Sequence, residues 1–191
     1  MRAAKKAKWI MSGMLIAGVS SLLALLSGGG CVDTAGVTQV ACPPGDRADF
    51  ELVSAVVEKR CGSLDCHGSE FRPLRIYGKF GLRKPELAPQ DAGDESFAYE
   101  EYFPGGDQPT TDAELEANLR SICGLEPELM KQVVEKTADP EVLSFIRKPR
   151  LREKHKGGLI WYKGDTGDQC LTNWLTGGID RSKCTEELNH P

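Results

Sequence analysis

The sequence predicts a mainly α domain with long loops, stapled by disulfides, and three observations predict it. Apolar residues recur at helical spacing behind capping residues in several places. Residues 85–110 are crowded with Pro and Gly, a loop long enough to be an insertion or a functional cover. Seven cysteines follow an N-terminus with the features of an export leader, and an oxidising compartment pairs such thiols.

Residues 1–8 carry Arg2, Lys5, Lys6 and Lys8 and no acid, residues 9–26 are uncharged and mostly apolar, and Gly28-Gly29-Gly30 leads to Cys31. A basic start, an apolar centre and a small-residue exit predict a signal peptide over residues 1–30. A transmembrane anchor is the alternative, with the apolar run near the lower length limit for spanning. Cys31 resembles the lipidated cysteine of bacterial lipoproteins; Gly29 and Gly30 suit the positions before cleavage, and Gly28 stands where that pattern carries Leu. The resemblance implies an acylated Cys31 that tethers an exported domain to a membrane of the cell envelope. Conventional cleavage would instead give a soluble periplasmic or secreted protein.

Residues 31–47, with Pro43-Pro44-Gly45, read as a tether, and residues 48–191 as one domain. The whole chain carries −4; without the four basic leader residues, twenty basic groups face twenty-eight acids, giving −8. So acidic a domain is not expected to bind nucleic acid.

Within the domain, Asp46 or Asp49 can cap a helix running to about Lys59, with Phe50, Val53, Val56 and Val57 on its apolar face. Residues 71–83 read as a short hairpin or an extended wrap. Thr111 and Glu114 form a capping box for a helix over 112–122, striped by Leu115, Leu119 and Ile122. Pro127 opens a second helix to about Lys136. Pro140 opens a third, with Val142, Leu143 and Ile146 inward. Asp168 is expected to cap a last helix, 169–175, ending at Gly177-Gly178. Glu100-Glu101 and Glu186-Glu187 read as solvated surface.

The first of these helices runs into Cys61-Gly62-Ser63-Leu64-Asp65-Cys66-His67-Gly68. Two cysteines followed directly by a histidine mark covalent haem attachment. On that reading the thiols of Cys61 and Cys66 would add across the two haem vinyl groups, and His67 would place an imidazole on the iron. The usual spacing has two residues between the cysteines; this chain has four, so the extra residues must bulge outward, with Gly62 and Ser63 able to bend. A Cys61–Cys66 disulfide is the plain alternative, since a turn of this length closes readily. Zinc is the weaker option, because no second Cys/His pair has ligand spacing.

A short helix feeding a Cys-Cys-His turn is the arrangement of class I cytochromes c. The motif, the later Glu153-Lys-His-Lys-Gly-Gly158 and the closing Cys170-Leu-Thr-Asn-Trp-Leu-Thr-Gly-Gly178 resemble the cytochrome c-like domains of planctomycete and myxobacterial lipoprotein type. The resemblance implies a cytochrome c-like helical domain carrying haem c (heme c) and passing electrons to a redox partner protein. It also implies a late helix, bearing Trp174, packed on the first. Widened attachment motifs occur among multihaem cytochromes.

For the second axial position the candidates are His155, Met130 and His190. Met130 lies inside a predicted helix and reads as core. His190 sits at a terminus expected to fray. His155, in a Gly-bounded loop ahead of the last helix, is the choice, although its charged neighbours also suit a solvated histidine. Trp161, Tyr162 and Trp174 can line a haem edge or fill the core. Cys42, Cys123, Cys170 and Cys184 allow three pairings; Cys170 with Cys184 across the last helix would leave Cys42 for Cys123. No Gly-x-Ser-x-Gly, His-Glu-x-x-His or phosphate loop is present, so an enzyme is the less favoured class. The alternative to a haem protein is a haemless, disulfide-stapled envelope lipoprotein acting as a binding or assembly module.

Overall fold

Asp46 starts the first helix. Its side chain accepts a hydrogen bond from the Asp49 amide at 2.8 Å, and α1 then runs Arg47–Cys61. The computed structural model describes residues 40–84 and 108–191. The leader, Cys31, most of the tether, Glu100-Glu101 and most of the long Pro/Gly loop lie outside the described residues.

The remaining elements are α2 (Asp112–Cys123), α3 (Pro127–Val134), a 3-10 turn (Pro140–Val142), α4 (Ser144–Arg147), α5 (Thr166–Leu175) and α6 (Arg181–Asn189). Among the described residues there is no strand. Residues 71–83 form a wrap rather than a hairpin, with one isolated bridge between Tyr77 and Leu82. No helix among these is long and apolar enough to cross a membrane.

α1 is the central element and packs on α2, α5 and α6. Phe50, Val53, Val56 and Val57 are all buried along it. Phe50 meets Trp174 of α5 with ring centroids 5.5 Å apart, so the Trp-bearing helix does lie on the first one. α2 begins with the capping box read in the sequence: Thr111 accepts from the Glu114 amide, and Glu114 accepts from the Thr111 amide. Met130 is core, 1% exposed.

Two disulfides staple this packing. Cys42 joins Cys123 at the end of α2, and Cys170 of α5 joins Cys184 of α6, with Cα separations of 5.5 and 4.9 Å.

Four local expectations need correction. The helix from Pro140 is broken: Leu143 adopts an extended ψ of 134°, and the chain restarts as α4 with its Ser144 amide held by the Glu126 carboxylate at 2.6 Å. α5 starts at Thr166, so Asp168 lies inside it and pairs with Arg150 at 2.6 Å. Residues 181–189 are helical, capped by Asp180. Glu187, read as solvated, is 3% exposed.

One buried polar cluster joins α1 to α2. Glu58 accepts from Ser54 Oγ at 2.8 Å and Thr110 Oγ1 at 2.6 Å, and Asn118 Nδ2 donates to Ser54 Oγ at 3.0 Å and to the Tyr77 carbonyl at 2.8 Å. Burial pushes the Glu58 carboxyl above its ordinary range; Glu114 adds to this, while Thr110, Ser54 and Arg83 oppose it. A raised carboxyl binds its proton more tightly folded than unfolded. Its stability contribution is therefore full below the ordinary value of 4.5 and is lost as pH rises through the folded value. Glu58→Gln should flatten that loss, making the variant's advantage in urea unfolding larger at pH 8 than at pH 4.5. An advantage independent of pH would contradict this.

Candidate haem-attachment site

The site is built at the C-terminal end of α1, whose last residue is Cys61. The chain then closes a compact loop. The amides of Cys66 and Gly68 both donate to the Ser63 carbonyl at 2.9 Å, and the His67 amide donates to the Cys61 carbonyl at 2.9 Å. Ser63, Leu64 and Asp65 face solvent, so the widened spacing is accommodated outward. Gly62, by contrast, is buried. A Cβ on Gly68 would collide with the Gly62 carbonyl and sit 2.9 Å from the Gly81 Cα. Only glycine lets these three backbone segments meet.

Cys61 and Cys66 are unpaired thiols, while the other four described cysteines are joined. The Cys61 thiol is pushed up to about 12, first by burial and then by the nearby Cys66. It remains a neutral thiol near pH 7, poorly suited to thiolate exchange.

His67 is half-buried, and its Nδ1 lies 3.0 Å from the Leu74 carbonyl oxygen. His155 repeats the arrangement, with Nδ1 2.9 Å from the Gly158 carbonyl. A carbonyl only accepts, so each Nδ1 carries a proton, and in the neutral ring Nε2 is then the nitrogen with the lone pair. Gly158 has φ +76°, a left-handed conformation that glycine adopts without strain while presenting this carbonyl. The two rings are near-parallel, 15° apart in plane, with centroids separated by 6.2 Å. Burial lowers the His67 pKa; the Leu74 hydrogen bond opposes this, and His155, Arg72 and Lys148 add to it. The ring is thus kept neutral, the form that ligates a metal.

Both rings line one small apolar cavity, together with Val57, Cys61, Phe145, Trp161 and Leu171. Its volume is about 30 Å³, room for one or two waters. Arg147 and Lys148 bind Glu153, and the Ile160 amide donates to the Pro149 carbonyl at 2.8 Å, which brings the His155 loop back over α1.

The structure therefore brings together four of the residues singled out in the sequence, Cys61, Cys66, His67 and His155. Trp161 lines the cavity, Tyr162 is exposed, and Trp174 belongs to the core with Phe50. His190 is exposed, and its backbone carbonyl is bound by Lys59 rather than left loose. The carbonyls of Leu74 and Gly158 escaped sequence reading because backbone groups carry no residue signature; a glycine just after a candidate ligand was the one available hint. Among the described residues, no three His, Cys, Asp or Glu side chains converge as a metal site. The donor set is two imidazoles with two thiols alongside. Comparison with protein-family models, with curated proteins and with solved structures finds no match to this chain.

Proposed function

We propose that this is an exported electron-transfer protein carrying one covalent haem, with Cys61 and Cys66 as the thioether residues and His67 and His155 as axial ligands. The single observation that carries the reading is the His67–His155 pair. The two rings line one cavity with near-parallel planes and centroids 6.2 Å apart, a separation that one metal with bonds of about 2 Å to each imidazole spans when both Nε2 atoms turn toward it. Both Nδ1 atoms are already committed to carbonyls, which fixes ring orientation and leaves Nε2 for the iron.

Haem supplies a one-electron iron couple when bound. His67 and His155 would both hold the iron, leaving no position for a substrate, which favours outer-sphere transfer over catalysis. Leu74 and Gly158 increase ligand basicity by accepting the Nδ1 protons. Val57, Phe145, Trp161 and Leu171 give the pair an apolar wall. The cavity as it stands is far smaller than a porphyrin, so loading requires segment 148–158 to move relative to His67. A lipidated Cys31 would hold the domain at a membrane, where it would meet its redox partner.

The small cavity is the one observation favouring the second reading, a haemless envelope module. Co-expression with haem-maturation machinery separates them. The expected result is a haem-positive band after denaturing electrophoresis and an intact mass raised by one haem. A folded, exported protein whose mass shows two hydrogens lost at Cys61 and Cys66, and no haem, would sink the cytochrome reading.

A further inference from the structure

We infer that the cavity formed by residues 75–84 and α2 binds a phosphate monoester. This site is separate from the haem reading and stands whether or not haem is bound. Arg75, Tyr77, Lys84, Glu116, Arg120 and Ser121 line one surface cavity of about 350 Å³, the size of a small-molecule site. Main-chain contacts, not the charged side chains, fix its walls. Ser121 Oγ accepts from the Arg75 amide at 2.8 Å. Asn118 accepts from the Tyr77 amide at 2.7 Å and donates to the Tyr77 carbonyl at 2.8 Å. Glu114 accepts from the Lys84 amide at 2.8 Å. Asn118 and Glu114 are both buried, so the segment is clamped along α2 from the inside.

These contacts leave a set of donors uncommitted. The Arg75 and Lys84 side chains have no ion-pair partner among the described residues, and the Tyr77 and Ser121 hydroxyls donate to no group there. The Arg120 guanidinium binds Glu116 at 2.8 Å, with side chains 78% and 54% exposed, and so exposed a pair yields readily to a competing anion. Three cations and one carboxylate leave a charge of +2, which a phosphate monoester nearly balances at pH 7. Two guanidinium groups, an ammonium and two hydroxyls suit three tetrahedral oxygens. A flat carboxylate would be served by one arginine fork.

The test is calorimetric titration of the full chain with glycerol 3-phosphate at low salt, where saturable one-site binding is expected. Arg75→Gln/Lys84→Gln should weaken it at least about 10-fold. Tyr77→Phe should weaken it severalfold, because Asn118 holds only the main chain of Tyr77 and the wall stays in place. Arg152→Gln/Lys154→Gln makes the same charge change at exposed residues outside the cavity and should bind like wild type. Circular dichroism checks that each variant is folded.

No binding by wild type, or equal weakening in both double variants, would overturn the proposal. So would succinate bound as tightly as glycerol 3-phosphate, which would reduce the cavity to its charge alone. Phosphatidylcholine vesicles carrying phosphatidate separate the two sources of such a group. Sedimentation that is lost in Arg75→Gln/Lys84→Gln assigns a lipid headgroup, and binding of the ester without sedimentation assigns a soluble ligand; either supports the site. A haem-negative stain with ester binding intact sinks the haem reading alone.

Discussion

In the haem-loaded protein of the proposal, replacing His155 by alanine should leave haem covalently attached while removing one of the two imidazoles that would hold the iron. The thioether bonds would be made by Cys61 and Cys66, neither of which belongs to the His155 loop, so the stain should survive the substitution. The absorption and electron-spin spectra should change from those of a six-coordinate, low-spin iron to those of a five-coordinate or water-ligated, high-spin one. Added imidazole should restore the original spectrum by occupying the space the ring leaves. Electron transfer should slow because the iron must now reorganise between states of different coordination.

His155→Ala is a local change in a half-buried loop residue, so the fold should hold, and circular dichroism would check this. His67→Ala should produce the harsher defect, since His67 adjoins the thioether residues and its ring anchors to Leu74. An unchanged spectrum in a loaded His155→Ala protein would exclude this residue as ligand, leaving the attachment itself untouched.

The largest effect on stability should come from Glu187→Ala. Glu187 is 3% exposed and accepts from four donors: Arg60 Nε at 2.6 Å, Thr166 Oγ1 at 2.6 Å, Trp161 Nε1 at 3.0 Å and the Gly167 amide at 3.1 Å. One carboxylate thereby ties α1, α6, the start of α5 and the wall of the cavity. Alanine leaves the indole and amide donors buried without partners and removes the carboxylate from Arg60, which keeps the Pro191 carbonyl. Each buried donor left unsatisfied costs about 1–3 kcal/mol, together a large part of the roughly 5–15 kcal/mol that holds a domain. Urea denaturation should show the loss directly; a change below about 1 kcal/mol would contradict the account.

The same residue gives a pH signature opposite to that of Glu58. Burial by itself would raise the Glu187 pKa, but the hydrogen bonds from Thr166, Trp161 and Arg60 outweigh it and leave the net shift downward. Its contribution is therefore present above the ordinary 4.5 and is lost as pH falls through the folded value. Once both are normalised to pH 7, Glu187→Gln should lose less stability than wild type as pH falls through 4.5, so its acid decline in urea unfolding should be shallower.

The parts of the fold readable in the sequence were those whose causes are local. α1 and α2 each carry a cap, an apolar stripe and, for α2, a reciprocal capping box, all within a few residues. The parts that were not readable depend on distant partners. α6 has no apolar stripe; it stays folded against the core through Cys184 and Glu187, whose partners lie far back in the chain. Asp168 has the chemistry of a cap, yet Arg150 claims it. The helix expected from Pro140 is interrupted because Glu126, ahead of α3, captures the Ser144 amide. His67 stood out by its cysteines, and His155 by its place in a Gly-bounded loop. Their parallel placement depends on the fold of residues 147–160, which no short motif encodes.

The two disulfides also divide the chain topologically. Cys42–Cys123, with a sequence separation of 81, closes a large covalent ring that contains Cys61, Cys66 and His67; Cys170–Cys184 closes a small ring of α5 and α6. Between them, residues 124–169 form an open bridge, and His155 lies on it. A proteolytic nick inside either ring releases no fragment until reductant is added, whereas a nick in the bridge ahead of His155 cuts the chain that links the two histidines and leaves only packing to hold them together. The half of the site that would hold a porphyrin covalently is thus locked in a closed loop. The half that must yield to admit one is borne by the only described stretch between the rings that no crosslink restrains.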